Sequence, residues 1–189
     1  MPRERLTPDI LVSAAADLAD EIGFDHLTLS ALAKRFGVRD ASLYTHIRSL
    51  ADLQERVALL ALGEWADALG AAIAGRSGHT ALSAFADAYR TLATGRPGRY
   101  AATRYPVSPE RLAASGETAR IVDVCYALLR GYDLSEPEAT DAVRLLRSTL
   151  HGFSDLEATG GFTADHSLGT SWRRAVEVLH HALTNWSKI

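Results

Sequence analysis

Between positions 28 and 47 the chain reads Thr-Leu-Ser-Ala-Leu-Ala-Lys-Arg-Phe-Gly-Val-Arg-Asp-Ala-Ser-Leu-Tyr-Thr-His-Ile. The polar members are the donors and acceptors that a nucleic acid requires. An arginine fork matches the O6/N7 edge of guanine, while hydroxyls and lysine reach phosphate oxygens. The apolar members recur at Leu29, Leu32, Ala33, Val38, Leu43 and Ile47. That spacing predicts two short helices joined by a tight turn at Gly37, a helix-turn-helix layout. The small Ala33 lets the helices approach. The second helix, from about Asp40 to Ile47, projects Arg39, Ser42, Tyr44, Thr45 and His46 outward, within reach of a DNA major groove.

No other chemistry competes with this one. The sequence has no paired carboxylates, no nucleophile-base set, no Gly-rich phosphate loop and no cluster with metal-ligand spacing, so no catalytic residue, metal or cofactor is expected. His180 and His181 are adjacent. Neighbours on a helix diverge by roughly 100°, so both are read as surface residues. Cys125 sits among Val124, Leu128 and Leu129 and reads as a small buried hydrophobe.

The elements that position the segment are helical. Thr7-Pro8 starts a helix whose apolar residues run from Ile10 to Ile22, and Gly23 ends it. Thr28 caps the next. A long helix runs from about Leu50 to Ala74. Further helices follow over about 80–94, a short one around Tyr100 and Arg104, then 109–130, 136–159 and 168–187. No strand survives the periodicity. The expected fold is all-α with about nine helices, an N-terminal three-helix domain followed by a helical bundle.

Composition sets the outer limits. The chain has 189 residues, 47% apolar and 23% charged, enough to build a core. One Cys excludes an internal disulfide framework. No apolar run reaches membrane-spanning length, and the N-terminus lacks a signal peptide, so a cytoplasmic protein without membrane contact is expected. The net charge of −3 runs against a generic nucleic-acid binder. Residues 1–54 alone carry six basic and eight acidic side chains, a sum of −2. Five of those acids lie between Asp9 and Asp25, while Lys34, Arg35, Arg39 and Arg48 lie on the reading head. A local basic patch is therefore expected, with Arg3 and Arg5 as a further arm. Binding should weaken sharply with salt.

Ala31-Leu32-Ala33, Gly37-Val38, Leu43-Tyr44 and His46, placed just before a long helix, resemble the TetR-type bacterial transcriptional regulators. Leu146-Arg147-Ser148-Thr149-Leu150-His151-Gly152-Phe153, then Leu156-Glu157 and Gly160-Gly161-Phe162, are similar to one subgroup of that family's C-terminal domains. The resemblance implies an all-α homodimer. Residues 1–48 would bind an operator in double-stranded DNA, and residues 49–189 would bind a ligand and dimerise. It implies that Tyr44 and His46 touch phosphates, that Thr28 bonds one at a helix start, and that Arg39, Ser42 and Thr45 lie nearest the bases. Lys34 and Arg48 complete the expected DNA contacts. Many members carry a Lys four residues after the His; here Leu50 stands there, and Arg48 is the nearest substitute.

The ligand is expected to be a small hydrophobic or aromatic molecule. Candidate lining residues are Trp65, Phe85, Tyr89, Tyr100, Tyr105, Cys125, Tyr126 and His151, although most aromatics at helical spacing serve a core. Val143, Leu146, Leu150, Trp172, Val176, Leu179 and Leu183 are expected at the dimer interface. The function so implied is a ligand-responsive regulator, a repressor released from a palindromic operator. The alternative is a helical adaptor or co-regulator with weak or lost DNA binding.

Overall fold

The computed structural model describes residues 6–188. Arg3 and Arg5 lie outside the described residues. Nine α-helices follow in order: α1 (Pro8–Ile22), α2 (Leu29–Phe36), α3 (Leu50–Ile73), α4 (Gly78–Gly95), α5 (Pro97–Ala102), α6 (Pro109–Ser115), α7 (Glu117–Leu129), α8 (Glu136–Ala158) and α9 (Leu168–Thr184). Three 3-10 segments, Phe24–His26, Asp40–Thr45 and Trp186–Lys188, complete the set. No strand occurs among the described residues.

The caps fall where side chains can supply them. Thr7 Oγ1 accepts from the Ile10 amide and Thr28 Oγ1 from the Ala31 amide, each closing a helix start. Ser135 and Glu138 form a reciprocal capping box at the start of α8. Two expectations change. The segment 109–130 is broken, because Gly116 takes a left-handed φ of 72° and Ser115 Oγ accepts the Glu117 amide. The apolar period continues through the break, so periodicity alone reads one helix. The reading segment is a 3-10 turn rather than an α-helix extending to Ile47. Its amides bond carbonyls three residues back, and the Thr45 hydroxyl donates to the Ser42 carbonyl at 2.8 Å.

The chain divides into two compact units. The first holds residues up to Glu64 together with Arg96–Thr118; the second holds Trp65–Gly95 and the remainder from Ala119. This partition follows packing, and it differs from the division by role expected at 48/49.

In the first unit α5 packs against α1. Ala15, Ala16 and Ala19 on α1 and Ala102 on α5 are fully buried. Gly98 lies against the Ala19 carbonyl so closely that a Cβ there would overlap it. Arg99, 6% exposed, fixes the same crossing. Its guanidinium pairs with Asp17 at 2.8 Å, with Glu64 at 2.9 Å and with Asp20, whose carboxylate also accepts the Arg99 amide. Leu11, Leu27, Leu32, Leu43, Ile47 and Leu53 form the core of this unit.

In the second unit α4 packs on α8 and α9. Arg90 on α4 forms a two-pronged pair with Glu157, and its guanidinium lies over the Trp172 ring at 5.4 Å. Trp172 donates to Asp87 at 2.8 Å. Phe153 stacks edge-on against Trp172 at 5.1 Å and tilts against Phe162 at 4.9 Å. The chain turns back for this contact at Gly160, with φ of 71°, and the Gly161 amide donates to the Leu156 carbonyl. The C-terminal motif is thus a packing unit.

Gly98→Ala should destabilise the protein by about 2 kcal/mol through overpacking against α1. The urea midpoint reads this, and an unchanged midpoint would mean that α5 does not sit on α1 so closely.

Candidate nucleic-acid interface

The interface is built on the turn after α2. Gly37 takes a left-handed φ of 63°, and its amide closes onto Lys34. Leu32, Ala33, Leu43 and Ile47 are buried, which fixes the reading segment against α2. Within that segment the backbone bonds run three residues apart, from the Ser42 amide to the Arg39 carbonyl at 2.9 Å and from the His46 amide to Leu43 at 2.9 Å. A 3-10 turn has three residues per turn, so positions three apart eclipse. Ser42 and Thr45 therefore share one side of the segment, and Arg39, in extended backbone, precedes it as its N-cap. All three are exposed, as are Lys34 and Arg48. Tyr44 is 57% exposed, and His46 is half-buried. Thr28 is exposed and caps α2. Asp40 accepts a hydrogen bond from Ser30, tying the reading segment back to α2.

The charge conflict dissolves in the fold. Asp17 and Asp20 hold Arg99, and Glu21 pairs with Arg35 at 2.7 Å. Asp52 pairs with Arg56 at 3.1 Å and with Arg111, whose Nε reaches Glu55 at 3.1 Å. Arg56, Arg99 and Arg111 all lie beyond residue 54, so a sum over the first 54 residues misses them.

Asp52 is the best-held acid of this unit. Its side chain is 5% exposed. Burial alone would raise its pKa. The Arg48 amide, which it accepts at 3.0 Å, and the Arg111 and Arg56 guanidiniums outweigh that and lower it to about 2. Ser49 Oγ accepts the Asp52 amide at 3.1 Å. Asp52 therefore fixes the turn that leaves the reading segment and enters α3. Sequence reading missed it, and Arg111 too. The signal within reach was Ser49 followed three residues later by an acid, a helix-start signature. Nothing local announces Arg111.

The expected ligand residues fall in both compact units. Tyr100 and Tyr105 belong to the first unit: Arg104 lies over the Tyr100 ring at 4.8 Å, and Tyr105 packs edge-on against Phe24 and donates to Gln54. Trp65, Phe85, Tyr89, Cys125, Tyr126 and His151 belong to the second. Trp65 and Tyr89 meet edge-on at 5.5 Å, Phe85 is buried, and the Tyr126 hydroxyl bonds Thr140. Burial raises the Cys125 thiol to about 11. His180 is half-buried rather than a surface residue; Tyr132 bonds its Nδ1, and the His79 ring stands 4.7 Å away. Among the described residues no group of three His, Cys, Asp or Glu is arranged to hold a metal ion, and no helix is long and apolar enough to cross a membrane.

The expected dimer face needs correction. Leu146, Leu150, Trp172, Val176, Leu179 and Leu183 are each 4% exposed or less within a single chain. They form the core of the second unit. A stripe on a helix predicts burial but not against what; here α4, α8 and α9 bury it among themselves. Val143 is half-buried. In the second unit the large apolar residues left exposed are Val122 on α7, Leu145 and Leu156 on α8, Phe162 after it, and Val178 on α9, 60% exposed.

Residues 11–57 match the family of bacterial regulatory proteins of the tetR type, and residues 82–179 match the tetracyclin repressor-like C-terminal domain. The chain belongs to the TetR family. It is 34% identical over 167 residues to an uncharacterized HTH-type transcriptional regulator, YobS, of Bacillus subtilis, covering 88% of this chain and 87% of that protein. It is 37% identical over 161 residues to another, Rv0681, of Mycobacterium tuberculosis, covering 82% and 72%. A protein of unknown function from Rhodococcus sp. RHA1 shares the fold, with a TM-score of 0.77 at 21% identity over 97% of this chain and 99% of that one. The protein is thus a TetR-type transcriptional regulator with a helix-turn-helix DNA-binding domain, in a family of non-enzymatic DNA-binding proteins.

Between pH 6 and pH 3, the stability advantage of the native protein over Asp52→Asn should shrink by about 1 kcal/mol. The folded pKa of Asp52 is lowered, so its contribution is complete above about pH 4 and is lost as pH falls toward 2. An equal gap in denaturant stability at both pH values would contradict this.

Proposed function

We propose that this TetR-family regulator is a ligand-responsive repressor, released from a palindromic operator by a small molecule. The observation that carries the DNA-reading part is the exposure of Arg39, Ser42 and Thr45 at the turn and reading segment after α2. Arg39 gives a bidentate contact to guanine, and the two hydroxyls reach neighbouring base edges. Thr28, Lys34, Tyr44, His46 and Arg48 hold phosphates and set the register. Residues 1–48 do the reading; residues 49–189 bind the ligand and dimerise, in the cytoplasm.

The dimer uses the outward faces of α8 and α9, with Leu145, Leu156 and Val178 in place of the buried residues first expected. A two-fold axis then sets the reading segments in successive major grooves, about 34 Å or a multiple apart. The ligand is an apolar or aromatic molecule among Trp65, Phe85, Tyr89, Cys125, Tyr126 and His151 of the second unit. It releases DNA by preferring a conformation with altered head spacing. A coupling of about 1–3 kcal/mol corresponds to a roughly 5- to 150-fold loss of operator affinity.

Arg39→Ala should cost about 1–3 kcal/mol of operator binding and relax base preference at one position of each half-site. Titration against a panel of single-base operator variants reads both. Unchanged affinity and unchanged preference would remove Arg39 from the base contacts. Val178→Asp should shift sedimentation from dimer toward monomer while helicity is kept. A dimer that persists at low micromolar protein would place the interface elsewhere.

A further inference from the structure

In the first unit Asp17, Asp20, Glu21, Asp52, Glu55 and Glu64 each pair with an arginine. Asp40 is held differently. It opens the reading segment, directly after Arg39, and it is exposed. Its partner is a hydroxyl: Ser30 Oγ, in the first turn of α2, donates to Asp40 Oδ2. Ser30 is exposed as well.

A carboxylate on this surface is repelled by phosphates and gains nothing from the DNA backbone. The donors that DNA offers it lie on base edges in the major groove, the N4 amino group of cytosine and the N6 amino group of adenine. The two are not equivalent. Adenine sets its N7 lone pair beside N6, against the carboxylate charge. Cytosine sets a C–H bond beside N4. Cytosine is therefore the base that suits Asp40.

We propose that Asp40 is a specificity-determining residue that selects cytosine within each half-site, and that Ser30 is its positioning residue. The Ser30 hydroxyl engages Oδ2 and leaves Oδ1 to accept from the base. A side chain of α2 thus holds a carboxylate of the reading segment in place, so less freedom is lost when the base is bound. Arg39 offers only donors, and the ionised Asp40 offers only acceptors. These adjacent residues select guanine and cytosine at nearby positions. On DNA lacking the cytosine the carboxylate only repels, so it lowers general affinity while it sharpens preference. This selection rests on the DNA reading proposed above.

The test is duplex selection from a random library with the full chain, followed by titration of single-base variants of the selected site. Native protein, Asp40→Ala, Asp40→Asn and Ser30→Ala are compared. Both side chains are exposed, so each variant should keep native helicity and sedimentation. In the native protein, replacing the cytosine should cost about tenfold in affinity. Asp40→Ala should reduce that penalty to about twofold. It should also raise affinity for unrelated DNA about twofold, because one repulsive charge is gone. Asp40→Asn should move the preference to adenine, whose N6/N7 edge an amide matches. Ser30→Ala should weaken the preference at this position and at no other; an intact preference would remove Ser30 as the positioning residue. Base preference unchanged in Asp40→Ala would overturn the selection by Asp40, whether or not general affinity rises. So would an equal loss of affinity for all sequences, which a purely structural tie between α2 and the reading segment would give. A native protein that selects no DNA sequence would overturn the reading head as a whole. A native protein that selects a palindrome that Asp40→Ala leaves unaltered would overturn Asp40 alone.

Discussion

Asp52 carries a charge where water scarcely reaches it, and such a burial is unfavourable unless the charge is paired and bonded. Three elements supply what it needs. The turn gives the Arg48 amide, α3 gives Arg56, and α6 gives Arg111. The geometry of the reading head hangs on this junction. On one side lies the segment with the exposed Arg39, Ser42 and Thr45, and on the other begins the helix that leaves the head. Arg111, far along the chain on α6, thereby helps to hold the turn that follows the reading segment.

The same logic explains how a protein of net charge −3 presents a head suited to phosphate. Asp17, Asp20, Glu21 and Asp52 each face an arginine. Arg99 alone gathers two acids of α1 and Glu64 of α3, in a crossing that Gly98 allows to be close. These pairs leave Lys34, Arg39 and Arg48 exposed on the reading side. Charge summed along a sequence and charge at a surface are different quantities once helices fold onto one another.

Much of the helical scaffold was legible because its causes are local. Thr7 and Thr28 cap by bonding amides three residues on, Ser135 shares a capping box with Glu138, and the turn at Gly37 needs only its own backbone. The reading segment was legible as a position and not as a geometry, since six residues between Arg39 and His46 are too short for a period to separate a 3-10 turn from an α-helix. The break at Gly116 hid inside a continuing apolar period. Contacts between distant segments were not legible. Arg111 finds Asp52 across 59 positions, and Leu179 is buried by its own chain although its stripe suited an interface between chains equally well. Hydrophobic spacing states that a face is covered, and only the assembled chain states by what.

We propose that the exposed Arg39, Ser42 and Thr45 select DNA sequence as part of a two-fold assembly. Selection of bound duplexes from a random library, with purified protein at two salt concentrations, tests it most directly. The account predicts enrichment of a partial palindrome with half-sites about one helical turn or a multiple apart, weaker at the higher salt. No enrichment at either salt, from protein that is folded and dimeric, would contradict it and favour a helical adaptor that acts through protein contacts.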